Sequence, residues 1–130
     1  MPTPIVYIDI SAIRPGKLAE VKAAMNELAE FVEANEPQLI SYEFYLSENA
    51  TRMTVVAVHP DLESMGFHMK VAGPVFRKFA DLIDLLRIDV YGPVTHQLLQ
   101  QLQQKAQMLG NGTVVIHEKS AGFARFAVPR

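Results

Sequence analysis

The sequence contains no cysteine and no tryptophan in 130 residues. The absence of cysteine excludes disulfides, thiolate-held metals and a cysteine nucleophile. An excess of one charge is also missing. Twelve basic residues face fourteen acidic ones, the net charge is −2, and no cluster of lysine and arginine forms a nucleic-acid footprint. No uninterrupted apolar run approaches the ~18 residues that a membrane helix needs. The first residues lack the basic region and apolar stretch of a signal peptide. These absences predict a soluble cytoplasmic protein with neither nucleic acid nor membrane as partner. GxGxxG, the P-loop and GxSxG are missing too, which leaves nucleotide binding and α/β-hydrolase chemistry without support. His59, His96 and His117 lie far apart, and no HExxH or other compact ligand spacing occurs, so no metal site is expected.

The residues present describe an ordinary globular domain. Hydrophobic residues make up 49% and charged residues 20%, which rules out a disordered chain. The length is that of one domain, and a chain of this size buries roughly two-thirds of its unfolded surface. Ile5 to about Ala12 is β-branched and unbroken, with Val6, Ile8 and Ile10 on one face and Tyr7, Asp9 and Ser11 on the other. After Arg14-Pro15-Gly16 the period changes. Leu18, Val21, Met25, Leu28 and Val32 recur at helical steps until Asn35-Glu36-Pro37 ends the run. Two alternating stretches follow, one carrying Tyr42 and Phe44 and the other spanning Arg52 to Val58, around a hairpin loop at Ser47-Glu48-Asn49-Ala50. Asp61 caps a second helix that Gly73-Pro74 is expected to break. A fourth strand spans about Asp84 to Tyr91.

Strand, helix, strand, strand, helix, strand is the split βαβ, ferredoxin-like order, an α+β fold. This predicts a domain over residues 1–93 and an extension over 94–130 packed on it. Thr95 caps the third helix, whose stripe is Leu98, Leu99, Leu102, Ala106 and Leu109. Six of the thirteen residues from Gln97 to Leu109 are glutamine, so its outer face is polar but uncharged. Gly110-Asn111-Gly112 stops the helix, and short strands are expected over Thr113–Glu118 and Gly122–Val128.

The first 93 residues resemble the antibiotic biosynthesis monooxygenase superfamily of dimeric α/β barrels. The resemblance rests on Ile13-Arg-Pro-Gly-Lys, Tyr42-Glu-Phe-Tyr, His68 followed by Gly73-Pro74-Val-Phe-Arg-Lys-Phe79, and Val90-Tyr-Gly-Pro93. It implies a ferredoxin-like subunit with a pocket between sheet and helices, paired into a barrel with a second copy of itself. It also implies a class of enzymes that includes quinone-forming oxygenases without cofactor. Haem-degrading members carry an asparagine on the first strand, a tryptophan on the second helix and a histidine ligand beyond it. Here Asp9 holds the first position, tryptophan is absent, and Ala80 or a neighbour stands where the ligand is expected, so haem degradation is disfavoured.

His68 is the first candidate for chemistry, a general base that would take a proton from a phenol or hydroquinone. In the catalytic reading it lines a cavity and fills no core, so its truncation would leave stability intact. In the structural reading it is a bonded core histidine. Asp9 is the second candidate. A carboxylate inside a strand is costly to bury unpaired, so Asp9 is expected to be solvated, held in a pocket or, the favoured outcome, paired with Arg52 or Arg87; near His68 it would orient the ring or bind a substrate hydroxyl. Tyr7 and Tyr42 are candidate substrate contacts from the strands, and Phe67 and Phe76 are candidate apolar lining, with plain core as the competing reading of each. The leading function is a monooxygenase that needs no cofactor and acts on a small aromatic or quinol-like compound. The alternative is a non-catalytic dimeric protein that binds a small apolar ligand on the same scaffold. A homodimer through the sheet is expected, because helices on one face leave the other uncovered.

Overall fold

The computed structural model describes residues 3–126. Strand β1 (Ile5–Ile13) leads to helix α1 (Leu18–Asn35), strands β2 (Ser41–Leu46) and β3 (Arg52–His59), and helix α2 (Leu62–Phe76). A single 3₁₀ turn (Arg77–Phe79), strand β4 (Ile83–Tyr91), helix α3 (His96–Leu109) and strand β5 (Gly110–His117) complete the order. One sheet runs β2-β3-β1-β4-β5, with β1 at its centre, antiparallel to β3 and β4. This is the ferredoxin-like βαββαβ arrangement with an added helix and strand. β5 joins parallel to β4, and α3 makes the crossover.

The local causes match the sequence in most places. Asp61 accepts from the Ser64 backbone at 2.8 Å and Thr95 from the Leu98 backbone at 3.1 Å, so both caps form. In the hairpin loop, Ser47 and Asn49 side-chain oxygens accept the backbone N–H groups of Arg52 and Thr51. Ala50 takes a positive φ of 55° there. Gly110 and Gly112 do more than stop α3. A Cβ on Gly110 would lie 2.7 Å from the Leu85 backbone nitrogen, and one on Gly112 would lie 2.9 Å from its carbonyl oxygen. The two glycines let β5 start flush against β4, so the strand begins directly at the helix end.

Two expectations about elements need correction. Helix α2 does not break at Gly73-Pro74 but runs through to Phe76. One lost N–H bond near the helix end is offset by burying Ala72 and Phe76. The second C-terminal strand does not form over residues 122–126; the remainder of that expected strand lies outside the described residues.

Helices α1, α2 and α3 all pack on one face of the sheet. That face takes Ile5, Tyr7, Asp9 and Ser11 from β1, all buried, with Met53, Val55 and Ala57 from β3 and Ile88 and Val90 from β4. Val6, Ile8 and Ile10, the more apolar set, are only half-buried on the opposite face, which no helix among the described residues covers. The strand that positions the site therefore turns its polar side to the interior. It stands at the centre of the sheet, where both faces are away from an edge.

Candidate active site

Asp9 enters the core from the middle of β1, opposite Val55 on one side and Ile88 on the other. Its neighbours on the same face are Tyr7 and Ser11. The Tyr7 hydroxyl donates to Asp9 Oδ2 at 2.5 Å, and Lys105 Nζ, reaching down from α3, donates to that hydroxyl at 2.8 Å. Lys105 also pairs with Asp9 Oδ2 at 3.5 Å. The ammonium lies 3.9 Å from the centre of the Phe76 ring. Ammonium, phenol and carboxylate thus form a hydrogen-bonded chain in a buried setting, where each bond polarises the next. Burial raises the Asp9 pKa, against the opposing pull of the Lys105 charge and the Tyr7 bond. Burial lowers that of Lys105, against the pull of Asp9. Burial and the Asp9 charge raise that of Tyr7 well above 10.0, so Tyr7 remains a donor.

Below this chain is a small internal cavity of about 20 Å³. Asp9, Ser11 and Lys105 are its polar walls, and Tyr42, Phe44, Phe76 and Phe79 are among its apolar ones. Asp9 Oδ1 and Ser11 Oγ are buried without a hydrogen-bond partner among the described residues. Such a volume exceeds the roughly 10–15 Å³ one water or hydroxyl oxygen requires, and the site offers such a group several polar contacts. The geometry is a hydroxyl-sized polar notch with a base and a cation on its rim.

His68, on α2, is 3% exposed and does not line that cavity. Its Nδ1 lies 2.9 and 2.8 Å from the two oxygens of Glu36, at the end of α1. A carboxylate only accepts, so Nδ1 carries the proton and the lone pair is at Nε2. The ring packs 5.1 Å from Tyr42, 5.4 Å from His59 and 5.5 Å from Phe76, measured between centroids. Phe76 therefore stands beside both His68 and Lys105. This packing favours the structural reading of His68, in which truncation costs stability, because removal strands a buried Glu36 carboxylate. His59 Nδ1 bonds Ser64 Oγ at 2.9 Å, while its Nε2 is buried and unpartnered.

The two imidazoles set a pH dependence. Burial, then the neighbouring His68, lowers the His59 pKa to about 3. Burial lowers that of His68 against the opposing pull of Glu36. Both take up a proton less readily in the fold than in the unfolded chain, where they titrate near 6.5. The unfolded state then binds more protons, so this stability is complete above 6.5 and is lost as pH falls below it. Asp9, with its raised pKa, contributes in the opposite sense. Urea denaturation at pH 7.5 and 5.5 should show lower stability at the acid value. His59→Leu should flatten the difference; an unchanged slope would count against the assignment.

Of the residues singled out from sequence, Tyr7, Asp9, Tyr42, His68 and Phe76 meet in one region. Phe67 does not: it is 38% exposed on α2. Asp9 is paired, but not with Arg52 or Arg87. Those two are in register with Ala12 and Ile10, on the opposite face, and Arg87 binds Asp89 at 2.8 Å. Glu36, not Asp9, orients His68. Lys105 and Glu36 were missed. Lys105 stands beside Leu102 and Ala106 on the inward side of α3 and is, with His96, one of two ionisable residues in that helix. A lone lysine among glutamines and leucines was the available signal.

Fold and site together define a ferredoxin-like α+β protein, with the architecture of the dimeric α/β barrels, whose central strand carries a buried carboxylate–phenol–ammonium chain. The chain belongs to the antibiotic biosynthesis monooxygenase family, whose model matches residues 5–82. No curated protein matches it in sequence. Among solved structures it is similar to MupZ from Pseudomonas fluorescens, at 19% identity, with 94% of each chain covered and a TM-score of 0.71. It is similar to Rv0793 from Mycobacterium tuberculosis at 14% identity, covering 72% of this chain and 98% of that one, with a TM-score of 0.61. It is also similar to SnoaB from Streptomyces nogalater, described as a cofactor-independent oxygenase, at 14% identity, with 71% and 94% covered and a TM-score of 0.59. The SnoaB and Rv0793 likenesses cover less of this chain than the MupZ likeness does.

Proposed function

We propose that the chain is an oxygenase that uses no cofactor and acts on a small phenol or quinol-like aromatic compound. The observation that carries this reading is Asp9: a buried carboxylate with one unpartnered oxygen on a hydroxyl-sized notch, beside the Lys105 ammonium. A passive apolar binding protein has no need of a buried ion pair, which costs solvation energy to maintain. Asp9 Oδ1 takes the proton from the substrate hydroxyl, and Lys105 stabilises the oxyanion left behind. The electron-rich phenolate passes an electron to dioxygen, and the radical pair joins to form a carbon–oxygen bond. Asp9 returns its proton to the peroxide oxygen, and loss of water from the resulting hydroperoxide, with the hydrogen of the same ring carbon, leaves a carbonyl. The sum is phenol plus dioxygen giving quinone plus water, with the phenol supplying all four electrons. His68, held by Glu36, lies outside the notch and backs it through the Tyr42 and Phe76 rings. Tyr7 anchors the carboxylate, and Tyr42 and Phe76 supply aromatic walls. Family membership supports the reaction class, and SnoaB shows the same fold in a cofactor-independent oxygenase. Oxygen uptake across a panel of phenols and hydroquinones tests it.

The working unit in this proposal is a homodimer. The uncovered face carries Val6, Ile8 and Ile10 beside Val56 and Val58, all half-buried. A second copy laid on it removes this patch from water. Light scattering is expected to give twice the 14.5 kDa chain mass at micromolar concentration, with Ile8→Glu shifting it to the single mass. A monomeric wild type would overturn this assembly.

A further inference from the structure

An open groove of about 1120 Å³ lies between α2 and α3, outside the interior cavity. Its apolar surface comes from Met69, Pro74, Phe76 and Met108. Met108 is 38% exposed, and methionine side chains adapt readily to the shape of a ligand. The polar groups of the groove are Arg77, Lys105 and the amides of Gln101 and Gln104. No carboxylate lines it. Arg77 is exposed at its edge and makes no ion pair among the described residues. Phe76 and Lys105 line both spaces, so they form the wall between this groove and the Asp9 notch. One side of the groove belongs to α3, beyond the residues that match the family model.

We propose that this groove binds an apolar organic anion, its body against Met69, Pro74, Phe76 and Met108 and its anionic oxygen at Arg77. The apolar floor takes a ring system, the two glutamine amides hydrogen-bond its substituents, and a groove with the unpaired Arg77 guanidinium and no acid favours negative charge. A hydroxyl at the far end of such a ligand faces the Phe76–Lys105 wall. As an account of the substrate, this rests on the oxygenase reading; as a binding site, it stands apart from it. The substrate class it names is an aromatic acid or acidic phenol, not a neutral hydrocarbon.

The probes are 1-anilinonaphthalene-8-sulfonate and N-phenyl-1-naphthylamine, the same ring system with and without the sulfonate. Amide resonances followed during titration should shift over residues 69–80 and 101–108 with the sulfonate. Arg77→Gln should weaken the sulfonate about three- to tenfold, as the loss of a partly exposed charge-assisted contact does, and leave the neutral probe within about twofold. Met108→Glu should weaken both. Shifts confined to the open sheet face or to residues 118–126, or a sulfonate affinity indifferent to Arg77→Gln, would overturn the proposal. Groove binding as expected, with no phenol supporting oxygen uptake, retains this site and removes the oxygenase reading. Oxygen uptake untouched by Met108→Glu removes the groove as the substrate's place.

Discussion

Asp9→Asn is expected to lower oxygen uptake by about 10²–10⁴-fold, the usual worth of a positioned base. The substitution keeps the shape of the side chain and its place between Val55 and Ile88. It removes the one oxygen that can take a proton at the notch, because an amide oxygen is far less basic than a carboxylate. The loss should fall mainly on kcat, since ring contacts in the substrate's body are untouched. A melting curve on the same variant separates the outcomes. Reduced turnover with a fold that still melts cooperatively supports the assignment. Turnover within threefold of wild type removes Asp9 from the chemistry, whatever the melting temperature.

The largest loss of stability is expected from Lys105→Met. Methionine matches the length of the lysine stem and keeps the packing on Phe76, but Asp9 loses its paired cation and the Tyr7 hydroxyl its donor. Removing one member of a buried pair typically costs about 3–5 kcal/mol, because the remaining charge is left unsolvated. The cost depends on pH. In the wild-type chain the Lys105 charge holds the Asp9 pKa down against burial, so without it the carboxyl rises further. A folded-state pKa above the unfolded value means the native state keeps a proton the unfolded chain has released. That stability is complete below the unfolded pKa of about 3.9 and is lost as pH rises through the folded one. Urea denaturation should therefore find Lys105→Met more damaging at pH 8 than at pH 5. Combining it with Asp9→Asn should cost less than the sum of the two. Equal loss at both pH values would contradict the pairing.

Much of the fold was readable because its elements obey simple periods. The helical steps of α1, the caps Asp61 and Thr95, and the order of strands and helices all express local rules that tertiary packing does not override. The face of β1 was harder to read. Val6, Ile8 and Ile10 make the natural interior set by hydrophobicity, yet the helices cover Tyr7, Asp9 and Ser11. Alternation shows that two faces exist; it does not show which one the helices cover. The apolar set then becomes the surface that a second copy would cover. Pro74 misled because a proline close to a helix end costs one hydrogen bond, and burial of Phe76 outweighs it.

The site was half legible. Asp9 stood out because a carboxylate in a β-rich strand must find a partner, and His68 because a lone imidazole on a helix is a natural proton acceptor. Their partners are 96 residues from Asp9 and 32 from His68. Neither distance leaves a trace in local spacing. Glu36 looked like part of a helix stop before Pro37, and Lys105 like one more polar residue on a glutamine-rich helix. Only α3 folding back over β4 and the centre of the sheet brings Lys105 to Tyr7.

The central claim is that the Asp9 notch deprotonates a phenol for direct reaction with dioxygen. An oxygen electrode tests it most directly, with wild type and Asp9→Asn assayed side by side on phenols and hydroquinones, without added metal, flavin or nicotinamide and with a chelator present. The account predicts that at least one panel member consumes one dioxygen per quinone formed, at a rate that depends on Asp9. Uptake no faster than in buffer for every member, or equally fast with Asp9→Asn, would contradict it.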